Sequence, residues 1–338
     1  MAAKPPPAAV AGLLALGVVV LQGLLILWFA WPAGKTAPRD LPVVVAGPAQ
    51  ATETITQRLH AGRPGGFAVT TVPDAAAADQ ALRDRTAYAA FVVGGTGPVL
   101  HVASAAGPTV TALLTQAAQQ LGNGQPVPVV DVVPAPRDDP RGAGFASGFL
   151  PLVMTSLAAG IGLLFAVRAH LARVVGVLVF AVFAGLVATA VLHWLGVLTG
   201  SYLTEAGAVA LLALAVSAAL SGLGATLGRP GIGLGVLVVF LLGNPISGLT
   251  SAPELLPQPW GAIGQYLPPG AGGTLLRSVA FFDGARATGP ALVLGAWAVV
   301  GLALTAFGHY RDRRASHAAG QLGVPPVDRD ERRLGAER

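Results

Sequence analysis

Cysteine is absent from the 338 residues, which excludes disulfides, thiolate metal sites and a cysteine nucleophile. Charge is almost as scarce, with 11% Asp, Glu, Lys and Arg against 53% hydrophobic residues and a mean hydropathy of +0.65. Soluble domains carry about 25% charged residues, so this composition excludes an ordinary soluble protein and points to the membrane. Lysine is nearly missing: of 21 Lys and Arg, only Lys4 and Lys35 are lysines, and the Arg, Ala, Gly and Pro usage suggests a high-GC genome. The net charge of +5 gives no nucleic-acid reading, because the arginines sit at the ends of apolar runs or in the tail. No complete Walker A loop occurs. Gly34-Lys35-Thr36 has the end of one, but Phe29, inside an apolar run, stands where its first glycine should be.

Catalytic and metal constellations are missing as well. His60, His101 and Asp131 fall in the polar part of the chain with no nucleophile or third ligand at a useful spacing, and read as structural. The chain is expected to be no enzyme and to hold no cofactor and no metal. Polar residues inside the apolar runs are few (Gln22, Ser156, His193, Asn244), and no acid lies in mid-span, which argues against a proton relay.

What is present is a set of long apolar runs. Residues 8–31 form the first, and at this length they read as a retained anchor, with Trp28 and Trp31 at its far end where amphipathic rings favour the interface. Five more candidates follow at 142–167, 174–198, 206–227, 232–249 and 291–309. Between the first and second, residues 41–133 alternate Val-rich strands (41–46, 67–72, 88–93, 98–104, 127–133) with helical runs (49–61, 74–85, 108–121), in the order β-α-β-α-β-β-α-β. GGTG at 94–97 reads as a hairpin turn, since no helix follows it as a phosphate loop would require. PAPRDDPR at 134–141 is a charged linker. The expected architecture is an α-helical polytopic membrane protein of six transmembrane helices with an extracytoplasmic α/β domain inserted between helices 1 and 2. Its parts are residues 1–34, 35–141, 142–310 and a disordered tail at 311–338.

Lys4, Arg168, Arg173, Arg229, Arg311, Arg313 and Arg314 collect on one side, which the positive-inside rule makes cytoplasmic, with both termini. That places the protein in the plasma membrane with the α/β domain outside. Gly222, Gly224, Gly228, Gly231, Gly233 and Gly235 suit either a tightly packed interior or a dimer seam or moving interface.

The most distinctive stretch is 231–284. It starts as a charge-free apolar helix, breaks at Asn244-Pro245 and continues through a Pro- and Gly-punctuated segment carrying Glu254, Arg277 and Asp283. Irregular backbone at membrane depth must be buried in protein or line a wet cavity, so residues 250–288 are expected to re-enter from the outer face. Glu254 or Asp283 is expected to meet Arg277. The run from Asn244-Pro245 through APELLPQPWG and LPPGA to Leu276-Arg277 resembles the last-but-one span and outer re-entrant segment of ABC-2-type permeases, especially the actinobacterial ABC transporter permeases related to the YhgE/Pip group.

That resemblance covers about 50 residues, and the order of the remaining elements agrees with it. It implies a homodimeric exporter subunit in contact with membrane lipid, moving a hydrophobic or amphipathic substrate outward and energised by a separate ABC ATPase. Family members carry a cytoplasmic coupling element between the second and third spans, often with an E-x-G-T signature. Here the loop is RAHLAR (168–173), so Arg168 and Arg173 are the candidate ATPase contacts. The shortness of this loop keeps open a non-transporting envelope protein whose external α/β domain binds a partner or a lipid.

Overall fold

The computed structural model describes residues 6–95, 97–121 and 125–321, apart from the side chains at 121, 309 and 311–321. The fold is mostly helical, with one small mixed sheet. Among the described residues five helices are long and apolar enough to cross a membrane: α1 (Pro7–Gly34), α5 (Ala143–Ala166), α6 (His170–Trp194), α7 (Tyr202–Leu227) and the Thr288–Gly308 part of α11 (Thr288–Gln321).

Between α1 and α5 in the chain lie β1 (Leu41–Ala46), α2 (Ala49–Gly62), β2 (Phe67–Val72), α3 (Ala75–Arg83), β3 (Ala89–Gly94), β4 (Gly97–Val102), α4 (Pro108–Leu121) and β5 (Val129–Asp131), in the order the sequence leads one to expect. The sheet runs β2-β1-β3-β4-β5, parallel except for the β3–β4 hairpin, in which Gly94 faces Gly97. Leu41, Val43, Val44, Val45 and Ala46 of β1 are all buried, because helices cover both faces and a central parallel strand has no solvent side. α2 and α4 pack on one face and α3 on the other. The carboxylate of Asp74 caps α3, accepting from the Ala77 N–H at 2.8 Å.

In the helical part α7 is central, and α5, α6 and α11 pack around it. Gly160 of α5 lies against Ser217 and Leu220, Gly185 of α6 against Ala206 and Ala210, and Gly301 of α11 against the Ala218–Ala219 backbone. Small residues allow such close approach where packing, not water, drives association. The paired contacts 301 with 218–219 and 308 with 225 show that α11 runs parallel to α7.

The connection between α7 and α11 therefore has to travel back along α7. It does so in two helical pieces. α8 (Arg229–Val236) leaves α7 through Gly228 at φ +68° and extends as a π-helical stretch, Leu237–Leu242. α10 (Pro268–Phe281) completes the return, bringing Val279 and Ala280 beside Gly200 at the start of α7. Between them lie the short α9 (Trp260–Gly264) and irregular backbone.

The single crossing helix expected over 232–249 is thus corrected to a helical run of 14 residues, Arg229–Leu242. At 1.5 Å per residue this is roughly 21 Å, short of the ~30 Å hydrocarbon core. Pro245 stops it, since proline offers no N–H and disfavours helical backbone in the residue before it. The expected disordered tail is also corrected over 311–321, where α11 continues as helix. The Ala, Arg and Gln of this stretch are helix formers that extend a helix already nucleated upstream. Lys4 and residues 322–338 lie outside the described residues.

Candidate functional site

The segment 243–287 is interlocked with the sheet. Ala252 and Leu255 enter the core under α2 and α4, while Phe282 enters the opposite core beside Ala78 and Leu82 of α3. The backbone is tied in the same place. Ala37 N–H donates to Leu255 O at 2.9 Å and Arg39 N–H to Glu254 O at 3.0 Å, and the Arg39 guanidinium reaches Leu255 O at 2.8 Å. Segment 246–270 is itself folded tightly: a Cβ on Gly264 would stand 1.8 Å from Ile246 O. Gln265 braces it, donating to Ser247 O at 2.9 Å and accepting from Thr274 Oγ1 at 2.7 Å.

At this junction lies a cavity of about 420 Å³. One wall is the α3–β3 turn, with Arg85, Thr86 and Tyr88. The other carries Glu254, Gln258, Gln265, Tyr266 and Arg277, with Arg286 at the rim. A second cavity of about 240 Å³ also has Arg277 in its wall, together with Asp139, Arg141 and Phe145.

Of the residues singled out from the sequence, Glu254 and Arg277 do face one cavity, but they do not form an ion pair. Arg277 is buried in α10, donates to Leu249 O at 2.9 Å and stacks over Phe145 with its guanidinium carbon 4.9 Å from the ring centre. Glu254 instead accepts from the Tyr88 hydroxyl at 2.9 Å. Asp283 is exposed, at φ +50°, and takes no part. The expected pairing of Arg277 with Glu254 or Asp283 is therefore corrected: a backbone carbonyl and an aromatic face occupy Arg277, and a phenol occupies Glu254. Asn244 and Pro245 mark the break in the helix and line neither of these two cavities.

Sequence reasoning missed Arg85 and Tyr88, which meet α10 and Glu254 from more than 160 positions away. Arg85, at φ +54°, donates to Thr274 O at 3.1 Å and to Ser278 Oγ, and lies 5.2 Å from the centre of the Phe282 ring. Burial, first, lowers the pKa of its guanidinium from the ordinary value. Burial, then the charge and hydrogen bond of Glu254, raise that of the Tyr88 phenol, which stays a proton donor at neutral pH. The sequence carried no local signal for either contact, because both depend on the sheet docking onto the segment.

The proposed ATPase contacts also separate. Arg168 is exposed in the turn between α5 and α6, but Arg173 is buried and donates to Leu164 O at 3.3 Å and Val167 O at 2.8 Å, capping the C-terminus of α5. The two side chains do not share a face. His193 and the fully buried Glu205 form a further polar pair where α6 meets α7, and Glu205 also accepts from Gly200 N–H at 2.9 Å. Among the described residues no group of His, Asp and Glu could hold a metal ion. No family model, curated protein or solved structure matches the chain.

Proposed function

We propose that this chain is the membrane-spanning permease subunit of an ABC-2-type exporter, a homodimer energised by a separate ATPase. It moves a hydrophobic or amphipathic substrate outward across the plasma membrane. In this reading the broken stretch 229–281 is the sixth crossing, both termini are cytoplasmic, and the sheet domain stands outside.

The observation that carries it is that broken return. Two helical pieces separated by irregular backbone run beside α7, and the second of them, α10, lines with that backbone and the α3–β3 turn a cavity that holds Arg85, Arg277 and Arg286. Discontinuous helices of this kind recur where transporters hold their substrates, and unpaired backbone at such depth needs protein or a wet cavity around it. The resemblance of 244–277 to ABC-2 permeases supports the same reading.

One observation favours the second reading, a non-transporting envelope protein that uses its external face to bind a partner or lipid. The α5–α6 connection is only Val167–Ala169, and Arg173 turns inward, so an ATPase would have to grip Arg168, the Gly228 turn and the end of α11. The test is purification of the full chain from its native membranes in mild detergent. A Walker-A ATPase recovered with it, and lost on Arg168→Glu, is the expected result. Consistent recovery of the chain with no ATPase overturns the exporter reading in favour of the second.

A further inference from the structure

Arg85 and Arg277 approach the 420 Å³ cavity from opposite walls, and α10 ties them together: Arg85 bonds Thr274 and Ser278, which flank Arg277 along the helix. Among the described residues neither guanidinium forms an ion pair with a carboxylate. The carboxylate that shares the cavity, Glu254, is engaged by the Tyr88 hydroxyl, and its charge offsets the burial of Arg85 only in part. Withdrawing positive charge from water without an anion beside it is costly. Two guanidiniums left with carbonyl, hydroxyl and aromatic partners keep N–H groups for an oxyanion that arrives from outside.

We propose that this cavity binds a phosphate group between Arg85 and Arg277. Guanidinium forks match the oxygens of phosphate in geometry and charge. Thr86 in one wall and Gln258 in the other supply polar groups for the remainder of the molecule. The volume lies within the roughly 300–1,000 Å³ of small-molecule sites, which leaves room for the group to which the phosphate is esterified.

The surroundings point to a lipid as the source. Trp28 of α1 packs edge-on against Trp260 at 5.2 Å and donates to Leu241 O at 2.9 Å; Trp297 of α11 donates at 2.9 Å to the carbonyl of Tyr266, whose largely exposed ring lines the cavity. Tryptophan and tyrosine concentrate at headgroup level. The cavity therefore lies at the depth of lipid phosphates. This deepens the proposed function by giving the substrate class, an amphiphile with a phosphorylated headgroup, and it rests on that reading only for the direction of movement.

The test uses the purified full chain in detergent, without any ATPase, so that the absence of an ATPase leaves this result intact. Three probes are titrated by calorimetry: short-chain phosphatidylglycerol below its micellar concentration, the matching diacylglycerol without phosphate, and inorganic phosphate. Saturable binding of phosphatidylglycerol but not of diacylglycerol is expected. Arg85→Gln should weaken it about tenfold, about 1.4 kcal/mol. Glu254→Gln, which keeps an acceptor for Tyr88 and removes a like charge, should tighten it severalfold, an effect that general unfolding could not produce. Inorganic phosphate binding as tightly as the lipid would uphold the site and reassign its ligand to a soluble phosphate compound. Equal binding of diacylglycerol, or phosphatidylglycerol binding indifferent to both substitutions, overturns the proposal.

Discussion

Tyr88 is held by a carboxylate on one side and by buried apolar surroundings on the other, and both oppose loss of its proton. A group whose folded pKa is raised stabilises the fold below its unfolded value, about 10 for tyrosine, and loses that contribution as pH rises through the higher folded value. Absorbance titration of the folded protein should therefore show one of the four tyrosines ionising later than the others, with stability falling over the same alkaline range. Tyr88→Phe should remove the late step; its persistence would show that another tyrosine is responsible. At the far end of the helices a second contrast is testable. Arg173→Ala leaves the carbonyls of Leu164 and Val167 without their charged donor and should cost about 1.5–3 kcal/mol in denaturant unfolding, whereas Arg168→Ala should be nearly silent. Equal effects would contradict the assignment of Arg173 as a helix cap.

At the scale of elements, Phe282 joins the segment after α10 to the α3 side of the sheet, as Ala252 and Leu255 join the segment before α9 to the other side. Phe282→Ala should destabilise by about 3–5 kcal/mol and open the 250–287 region to limited proteolysis before the helices unfold. Proteolysis unchanged from the parent protein would mean that this docking is not what holds the segment. These elements also show what the sequence can and cannot tell. The strands of the sheet were legible because Val-rich runs such as VVV, between Pro42 and Gly47, and FVV, ending at Gly94, are too short for a helix and stop at turn residues. Asp139 illustrates the opposite case: in the sequence it belongs to a charged linker, yet it is buried and accepts from the N–H groups of Gly144 and Phe145 to cap α5. The fifth apolar run was legible as apolar and not as short, because hydropathy continues past Leu242 while the helix stops. Arg277 could be identified as a residue needing compensation, but its partners Leu249 and Phe145, and its neighbour Arg85, come from elements that only the tertiary fold brings together.

For the whole molecule the deciding quantity is the parity of crossings. With α1, α5, α6, α7 and α11 alone there are five, and the two ends of the chain fall on opposite sides; if 229–281 also crosses there are six, and they fall on the same side. The parallel arrangement of α11 and α7 favours six, since the chain cannot start α11 beside the start of α7 without having returned along it. The lack of any cysteine makes this directly measurable, because a single introduced cysteine is labelled without background. His60→Cys lies on the exposed side of α2, Arg168→Cys in the α5–α6 turn and Gln321→Cys at the end of α11. A maleimide that cannot cross membranes should label His60→Cys in intact cells, and Arg168→Cys and Gln321→Cys only after permeabilisation. Labelling of Gln321→Cys together with His60→Cys would show that the broken stretch dips and returns without crossing. The cavity between Arg85 and Arg277 would then sit over a re-entrant plug, which suits the stand-alone envelope reading. Reversal of all three would instead place the arginine-rich ends outside and overturn the orientation itself.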